Sequence, residues 1–189
     1  MADKIDINRI SRDIFIEHRG EPYRIVDYEH VKPGKGQAFV RVRAKNMLTG
    51  NVIEITYKAS DAVQLADFEQ SFAEYSYSDG EMYYFMNSQT YEMVAVPKDK
   101  VEKESAFLKE GMQVVVFFYK GQAVGIELPK HVELKVVETE PAFKGDTAAG
   151  GTKPAKLETG AVVQVPFFVS EGDVIKVDTR SGTYVERVR

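Results

Sequence analysis

Apolar and polar residues alternate in short runs along most of the chain, and turn residues separate the runs. A period of two places one side of a strand in a core and the other side in solvent. Residues 38–43 show this pattern, with Arg41 and Arg43 on the expected solvent side. Runs at 23–28 and 51–57 each follow a turn-like sequence. Three such strands within residues 1–65 predict a small barrel.

Two further groups of strands follow, and the first contains the best helix candidate of the chain. Residues 98–109 are predicted to be helical, because Pro97 precedes them and Gly111 follows them. One helix among several strands in residues 66–128 fits an OB-like barrel. The predicted strands are 72–77, 81–86, 91–96, 113–119 and 123–128, then 132–137, 161–165, 174–177 and 183–188.

The strand groups predict an all-β protein of three small β-barrel domains, at residues 1–65, 66–128 and 129–189. A loop rich in glycine, threonine and alanine is expected at 141–154. No long Gly/Ser-rich or Pro-rich linker marks either boundary, and short connections between barrels would make a stiff, elongated molecule.

Composition and charge limit the possible function classes. The chain has 189 residues, no cysteine and a net charge of -4. It has no signal-peptide pattern and no run of about 20 apolar residues, so a cytosolic protein without a membrane span is expected. The absence of cysteine excludes disulfides and thiolate sites, and it fits a reducing compartment.

The charge is unevenly distributed along the chain. Residues 1–65 carry 11 Lys/Arg and 9 Asp/Glu, residues 66–128 carry 5 and 11, and residues 129–189 carry 9 of each. A general polyanion binder is normally basic overall. Any nucleic-acid contact must therefore be local and avoid the acidic middle, although that acidity is equally explained as an aid to solubility.

Lys35 stands between two glycines in Pro33-Gly34-Lys35-Gly36, with predicted strands on both sides. Proline presets φ and glycine supplies a positive φ, so Pro-Gly predicts a turn and a hairpin with one cation at its tip. No Asp or Glu occurs between Glu29 and Glu54, whereas five Lys or Arg do. Because phosphate contact needs several cations on one surface, this basic segment is the candidate contact site. A solvated lysine on an ordinary turn is the alternative.

Signatures of enzyme chemistry are scarce. His18, His30 and His131 lie too far apart in sequence to indicate a metal site, and no nucleophile elbow or phosphate loop occurs. Lys35 could in principle form a Schiff base, but such lysines are desolvated or lie beside another cation. A hairpin tip flanked by glycines is expected to be solvated.

Five aromatic residues in the acidic middle have two interpretations. They could stack on nucleic-acid bases, but alternating aromatics on strands usually fill a core, and no basic residue lies among them. The core is the favoured interpretation. The residues are Tyr75, Tyr77, Tyr83, Tyr84 and Phe85.

Four sequence blocks carry a resemblance to a known family. They are residues 20–23 with 31–39, residues 144–147, residues 153–155 with 159–161 and 165–166, and the long block GDVIKVDTRSGTYVER at 172–187. Through these blocks the chain resembles bacterial elongation factor P over its whole length. The resemblance implies an SH3/KOW-like N-terminal barrel followed by two OB-fold barrels, in a shape like that of tRNA.

The resemblance also implies a function. It implies a cytoplasmic, non-catalytic and monomeric translation factor that binds both ribosomal subunits between the peptidyl and exit sites, beside the peptidyl-tRNA. There it promotes peptide bond formation and relieves stalling at consecutive prolines. It implies no cofactor, metal or membrane. A modifying enzyme could add an amine-bearing extension of the β-lysine type to Lys35.

The same resemblance assigns contacts to individual residues. The loop at the hairpin tip would approach the CCA end of the peptidyl-tRNA and the ribosome, a second loop would approach the exit-site codon, and two further residues would lie near the small subunit and tRNA. Packing is an equally good role for Tyr184. These residues are, in order, Lys32, Pro33, Gly34, Lys35 and Gly36, then Gly145, Asp146 and Thr147, and then Tyr184 and Arg187.

Two other function classes remain open. A general RNA-binding or RNA-chaperone protein would bind short RNAs strongly with a steep salt dependence, whereas a net-acidic ribosome factor would bind them weakly. A lysine-dependent enzyme would trap a carbonyl compound on borohydride reduction, and Lys35→Ala would abolish the trapping.

Overall fold

The protein, described by a computed structural model over residues 3–141 and 150–189, is built from β-strands with three short 3-10 turns. This confirms the predicted all-β class. The chain divides into two compact units, Met1–Gln70 with Val116–Gly125, and Ser71–Val115 with Ile126–Arg189. The predicted boundaries near residues 65 and 128 stay predictions.

A four-stranded antiparallel sheet forms most of the first unit. Its strands run in the order β2-β3-β4-β5, and β1 and β6 pair beside them. Val40, Val42 and Ala44 of β4 are fully buried, whereas Arg41 and Arg43 are exposed, as the alternating pattern predicts. The strands are β1 (Lys4–Asp6), β2 (Phe15–His18), β3 (Glu21–Val31), β4 (Phe39–Asn46), β5 (Val52–Lys58) and β6 (Ala62–Gln64).

An aromatic cluster packs against this sheet within the first unit. The guanidinium of Arg24 lies 5.3 Å from the ring centres of both Phe15 and Phe117. The Tyr119 hydroxyl donates a 2.5 Å hydrogen bond to Glu17. Burial and the Glu17 carboxylate raise the pKa of Tyr119 to about 12.

The second sheet has five antiparallel strands in the order β11-β10-β7-β8-β9. Ala73, Phe85 and Val96 form its buried side. Bulky side chains lie on both of its faces, with Phe85 buried on one and Tyr77 exposed on the other. The strands are β7 (Phe68–Ser78), β8 (Met82–Asn87), β9 (Met93–Pro97), β10 (Gln113–Tyr119) and β11 (Gln122–Glu127).

The third sheet belongs to the second unit and has the order β14-β13-β12-β15-β16. Strict alternation in β12 and β13 buries Leu134, Val136, Ala155 and Leu157 in a shared core and exposes the residues between them. The strands are β12 (His131–Thr139), β13 (Thr152–Leu157), β14 (Val162–Pro166), β15 (Val174–Asp178) and β16 (Thr183–Arg187).

The predicted helix at 98–109 is wrong. Two isolated 3-10 turns, Lys98–Lys100 and Glu104–Phe107, occupy the segment. Between Val101 and Phe107 no large apolar side chain occurs, so a continuous stripe to pack on the core is missing. A helix this short is marginal without such packing, and Val101 leaves helical geometry with φ -130° and ψ 18°.

The predicted loop at 141–154 ends too late, because β13 begins at Thr152. In the sequence, Pro154 disfavours a strand, because proline has no backbone N–H to donate a hydrogen bond to a neighbouring strand. In the sheet its neighbour on the β14 side is Gln164, whereas the ladder with β12 ends at Ala155, opposite Thr139. Pro154 lies beyond the end of that ladder, so its missing N–H donor breaks no hydrogen bond of that ladder. The Thr139 hydroxyl donates a 2.9 Å hydrogen bond to the Pro154 carbonyl.

The core interpretation of the five aromatics is confirmed for Phe85 and wrong for Tyr77. Phe85 is fully buried, with Tyr75 packed 5.5 Å away, but Tyr77 is 54% exposed and stacks on Tyr84 with ring centres 4.5 Å apart. A β-bulge between Tyr75 and Tyr77 shifts the register and turns Tyr77 to the other face. Such a bulge has no signal in the alternating pattern.

Candidate functional site

The candidate site is the loop that joins β3 to β4. The two strands pair from Tyr23 opposite Asn46 up to Val31 opposite Phe39, which leaves residues 32–38 as the loop. Residues 32–37 are all exposed. The long ladder therefore carries the Lys35 loop beyond the last pair of the sheet, into solvent.

The two glycines beside Lys35 have different backbone roles. Gly36 has φ +111°, which only glycine adopts without strain, whereas the φ of Gly34 lies outside the left-handed region. A Cβ added at Gly34 would meet nothing within 4 Å. The positive φ expected at the Pro-Gly step is thus wrong for Gly34, and the loop turns instead at Gly36.

The five cations between Glu29 and Glu54 differ in their electrostatic surroundings. The Arg41 guanidinium lies 3.8 Å from the Glu29 carboxylate and 3.5 Å from that of Glu54. Arg43 stands opposite Asp27 on one side and Glu54 on the other. A segment without acids in sequence is therefore flanked by acids across the sheet.

Lys32 and Lys35 escape this neutralisation because the loop extends past the flanking strands. In the part of the chain that the structure describes, neither lysine has an ion pair or side-chain hydrogen bond. Exposed ammonium groups of this kind can form new contacts with phosphate oxygens. Of the five cations in this segment, Lys32 and Lys35 of the loop and the exposed Lys45 of β4 are thus available to a partner.

An open groove of about 360 Å³ lies beside the base of the loop. Phe39 of β4 and Lys58 of β5 are paired residues on this face, and the guanidinium of Arg41 lies 5.8 Å from the Phe39 ring centre. Gln37, Ala38 and Thr56 complete the lining. No sequence pattern predicts this groove, because its walls come from β4, β5 and the loop.

The other predicted contact residues lie elsewhere. Tyr184 on β16 packs against the core of the third sheet. Arg187 of the same strand lies 3.7 Å from the Asp173 carboxylate and 5.1 Å from the Phe168 ring centre. Both side chains are thus held by packing or charge within the second unit. Gly145, Asp146 and Thr147 lie outside the described residues.

The structure adds little for metal or acid–base chemistry. Within residues 3–141 and 150–189, no group of three or more His, Asp or Glu side chains is arranged to hold a metal. Burial and the adjacent Arg19 hold the pKa of His18 below its ordinary value. Across the same residues, none of the helical segments has the length and hydropathy to cross a bilayer.

Comparisons with known proteins cover nearly the whole chain. The family models "Elongation factor P (EF-P) KOW-like domain", "Elongation factor P (EF-P) OB domain" and "Elongation factor P, C-terminal" match residues 6–63, 68–126 and 132–187. The predicted KOW-like and OB components are thereby confirmed.

Curated relatives agree with these models. Elongation factor P of Aquifex aeolicus is 78% identical over 100% of this chain and 98% of its own length. That of Hydrogenobaculum is 69% identical over 100% of this chain and 97% of its own length. A solved structure named eukaryotic translation initiation factor 5A, from Methanococcus jannaschii, shares the fold, with a TM-score of 0.50 and 24% identity over 65% of this chain and 90% of that one. The chain belongs to the elongation factor P family and is a translation elongation factor.

Proposed function

We propose that this factor binds the ribosome between the peptidyl and exit sites and presents the Lys35 loop to the CCA end of the peptidyl-tRNA. There it stimulates peptide bond formation where the ribosome stalls on consecutive prolines. Family membership supports the ribosomal role. The observation that carries the proposal is the exposed, unpaired Lys35 at the end of a long two-stranded ladder.

Position explains how such a loop would accelerate the reaction. Proline is a poor substrate because its reacting groups rarely reach a productive arrangement, and holding one of them in place recovers the lost orientation. Lys32 and Lys35 would contact phosphate and ribose oxygens of the tRNA end. Residues 32–37 carry no Asp, Glu or His, so the loop offers no general base, and the factor is proposed to be non-catalytic.

Lys35 is proposed to be modified after translation. A modifying enzyme needs an accessible side chain, and Lys35 and its loop neighbours are exposed. An added group with a second amine, of the β-lysine type, would extend the reach of the loop and keep its positive charge. Intact mass and peptide mapping of protein from its native cell would detect the added mass at Lys35, and an unmodified peptide would refute this part.

The remaining contacts belong to the same proposal. Gly145, Asp146 and Thr147 would approach the exit-site codon, and Tyr184 and Arg187 would lie towards the small subunit. The ion pair of Arg187 with Asp173 would have to be shared with such a partner. The factor would act as a cytoplasmic monomer without cofactor or membrane.

Lys35→Ala is the direct test in reconstituted translation of a template with consecutive prolines. We expect the variant to fold normally and to lose relief of stalling, because an exposed loop side chain contributes little to stability. Lys45→Ala is the matched control, since Lys45 is an exposed lysine on β4, away from the loop. Equal activity of Lys35→Ala and the wild-type protein would sink the proposal.

A further inference from the structure

The second sheet presents a face of aromatic and methionine side chains to solvent. Phe85 of β8 and Val96 of β9 are fully buried on its core side. Because side chains alternate along a strand, Tyr84 and Met86 of β8 lie on the opposite side. Met93 and Ala95 share that side on β9.

Cross-strand pairing joins these side chains into one surface. Met86 pairs with Met93 on β9, and Tyr84 pairs with Ala95. On β7, the bulge brings Tyr77 opposite Tyr84. We call this surface the aromatic–methionine face. Its members are Phe72, Tyr77, Tyr84, Met86, Met93 and Ala95.

The exposure of this face is large for apolar side chains. Phe72 is 69% exposed, Tyr77 54% and Met93 48%. Contiguous exposed apolar residues of this kind mark interaction sites in soluble proteins. Met86 and Met93 add flexible side chains that adapt to a partner's shape.

The charge around the face is mainly negative. Lys109 lines the same groove as Glu74 and Tyr77, but its ammonium lies 3.2 Å from the Glu158 carboxylate. Between Lys58 and Lys98 the sequence contains no lysine or arginine and seven Asp or Glu. Glu74 stands opposite Met86 on the face itself. Asp79, at the end of the β7–β8 hairpin, accepts a 2.9 Å hydrogen bond from the Tyr84 hydroxyl. A partner that covers the face therefore gains from positive charge.

We propose that the aromatic–methionine face binds an arginine-bearing, basic segment of another protein. The rings of Tyr77 and Tyr84 are nearly parallel, with 17° between their planes, and more than half of Tyr77 is open to solvent. A guanidinium can lie on such a ring face. The carboxylates nearby then balance its charge, while the methionines take the apolar side chains beside it.

Nucleic acid is disfavoured by the same charges. Proteins that stack bases on aromatic rings surround them with Lys and Arg that follow the phosphates. Here the surrounding charged groups are mainly carboxylates, which repel phosphate. This surface is thus chemically opposite to the Lys35 loop, and a partner could bind it whatever the loop contacts.

Methionine-methyl NMR on the full chain tests the proposal. The probe is a synthetic peptide in which arginine alternates with valine, titrated into protein labelled at the methionine methyl carbons. We expect the signals of Met86 and Met93 to shift with saturation. Met47 and Met112, which lie outside the face, should stay unchanged. A peptide with glutamine in place of arginine should leave all four signals unshifted.

Two variants give the matched comparison. Tyr77→Ser should weaken peptide binding by about fivefold or more, because it removes the open ring. Phe168→Ser should leave binding unchanged, although Phe168 is an equally exposed aromatic at 53%. Thermal unfolding of both variants checks that they fold.

Three results would overturn the proposal. The first is an absence of shifts at Met86 and Met93 with the arginine peptide. The second is an equal response to a single-stranded RNA, which would assign the face to nucleic acid. The third is a shift that grows with protein concentration alone, which would identify a second copy of the chain as the occupant.

Discussion

Gly34 and Gly36 flank Lys35, but only one of them is required by the backbone. Gly36→Ala places a side chain at φ +111° and should lower the free energy of unfolding by about 1–2 kcal/mol. Gly34→Ala meets open space and should change it by less than about 0.5 kcal/mol. Urea unfolding measures both values.

Relief of stalling should also distinguish the two glycine variants. If the loop backbone approaches the tRNA end closely, Gly34→Ala should reduce relief of stalling despite its normal stability. Full activity of Gly34→Ala would show that Gly34 is not needed for close approach, and stability equal to wild type in Gly36→Ala would contradict the backbone argument.

The raised pKa of Tyr119 makes the stability of the protein depend on pH in the alkaline range. Its pKa is raised from 10.0 to about 12 in the folded state, so the unfolded chain loses this proton first. The stabilisation is complete below pH 10, and it declines as the pH rises towards 12. Unfolding measured across this range should show a smaller decline in Tyr119→Phe than in the wild-type protein. Equal slopes in the two proteins would contradict the assignment.

At the residue scale, the sequence identified Lys35 as the candidate residue. It did not predict that acids across the sheet neutralise the neighbouring arginines. The turn residues and the run without acids single out the loop. The pairing of Arg41 with Glu29 and Glu54 depends on the register of three strands, which local pattern does not determine. The same holds for the exposure of Tyr77, which a single bulge decides.

At the scale of elements, most of the longer strands were predicted well. Residues 113–119 match β10 fully, and the other predicted strands overlap observed ones within a few residues. The short strands β1, β2 and β6 were missed, because three or four residues carry too little periodicity. The strand β13 was missed because Pro154 reads as a loop residue.

The segment 98–109 allows a stability test of its packing. Val101 is fully buried between the two 3-10 turns, so Val101→Ala should cost about 2 kcal/mol through lost burial and a cavity. Lys103→Ala, at an exposed site, should be nearly neutral if the segment is not helical. Thermal or urea unfolding measures both, and a clear gain in stability from Lys103→Ala would favour a helix after all.

At the scale of the whole molecule, we propose separate roles for the positive and negative surfaces. The exposed lysines of the loop suit contact with RNA, while the acidic middle of the chain disfavours it. Three family models follow one another along residues 6–187. The predicted elongated, tRNA-like shape stays a prediction.

The central claim is that Lys35 accelerates peptide bond formation by positioning the tRNA end. Single-turnover kinetics on ribosomes stalled at consecutive prolines, with saturating factor, tests it most directly. We predict that Lys35→Ala lowers the rate at saturation by about tenfold or more, equivalent to about 1.4 kcal/mol, while its affinity for the ribosome changes by less than about threefold. Recovery of the full rate at higher concentrations of Lys35→Ala would contradict the claim, because it would assign Lys35 to binding alone.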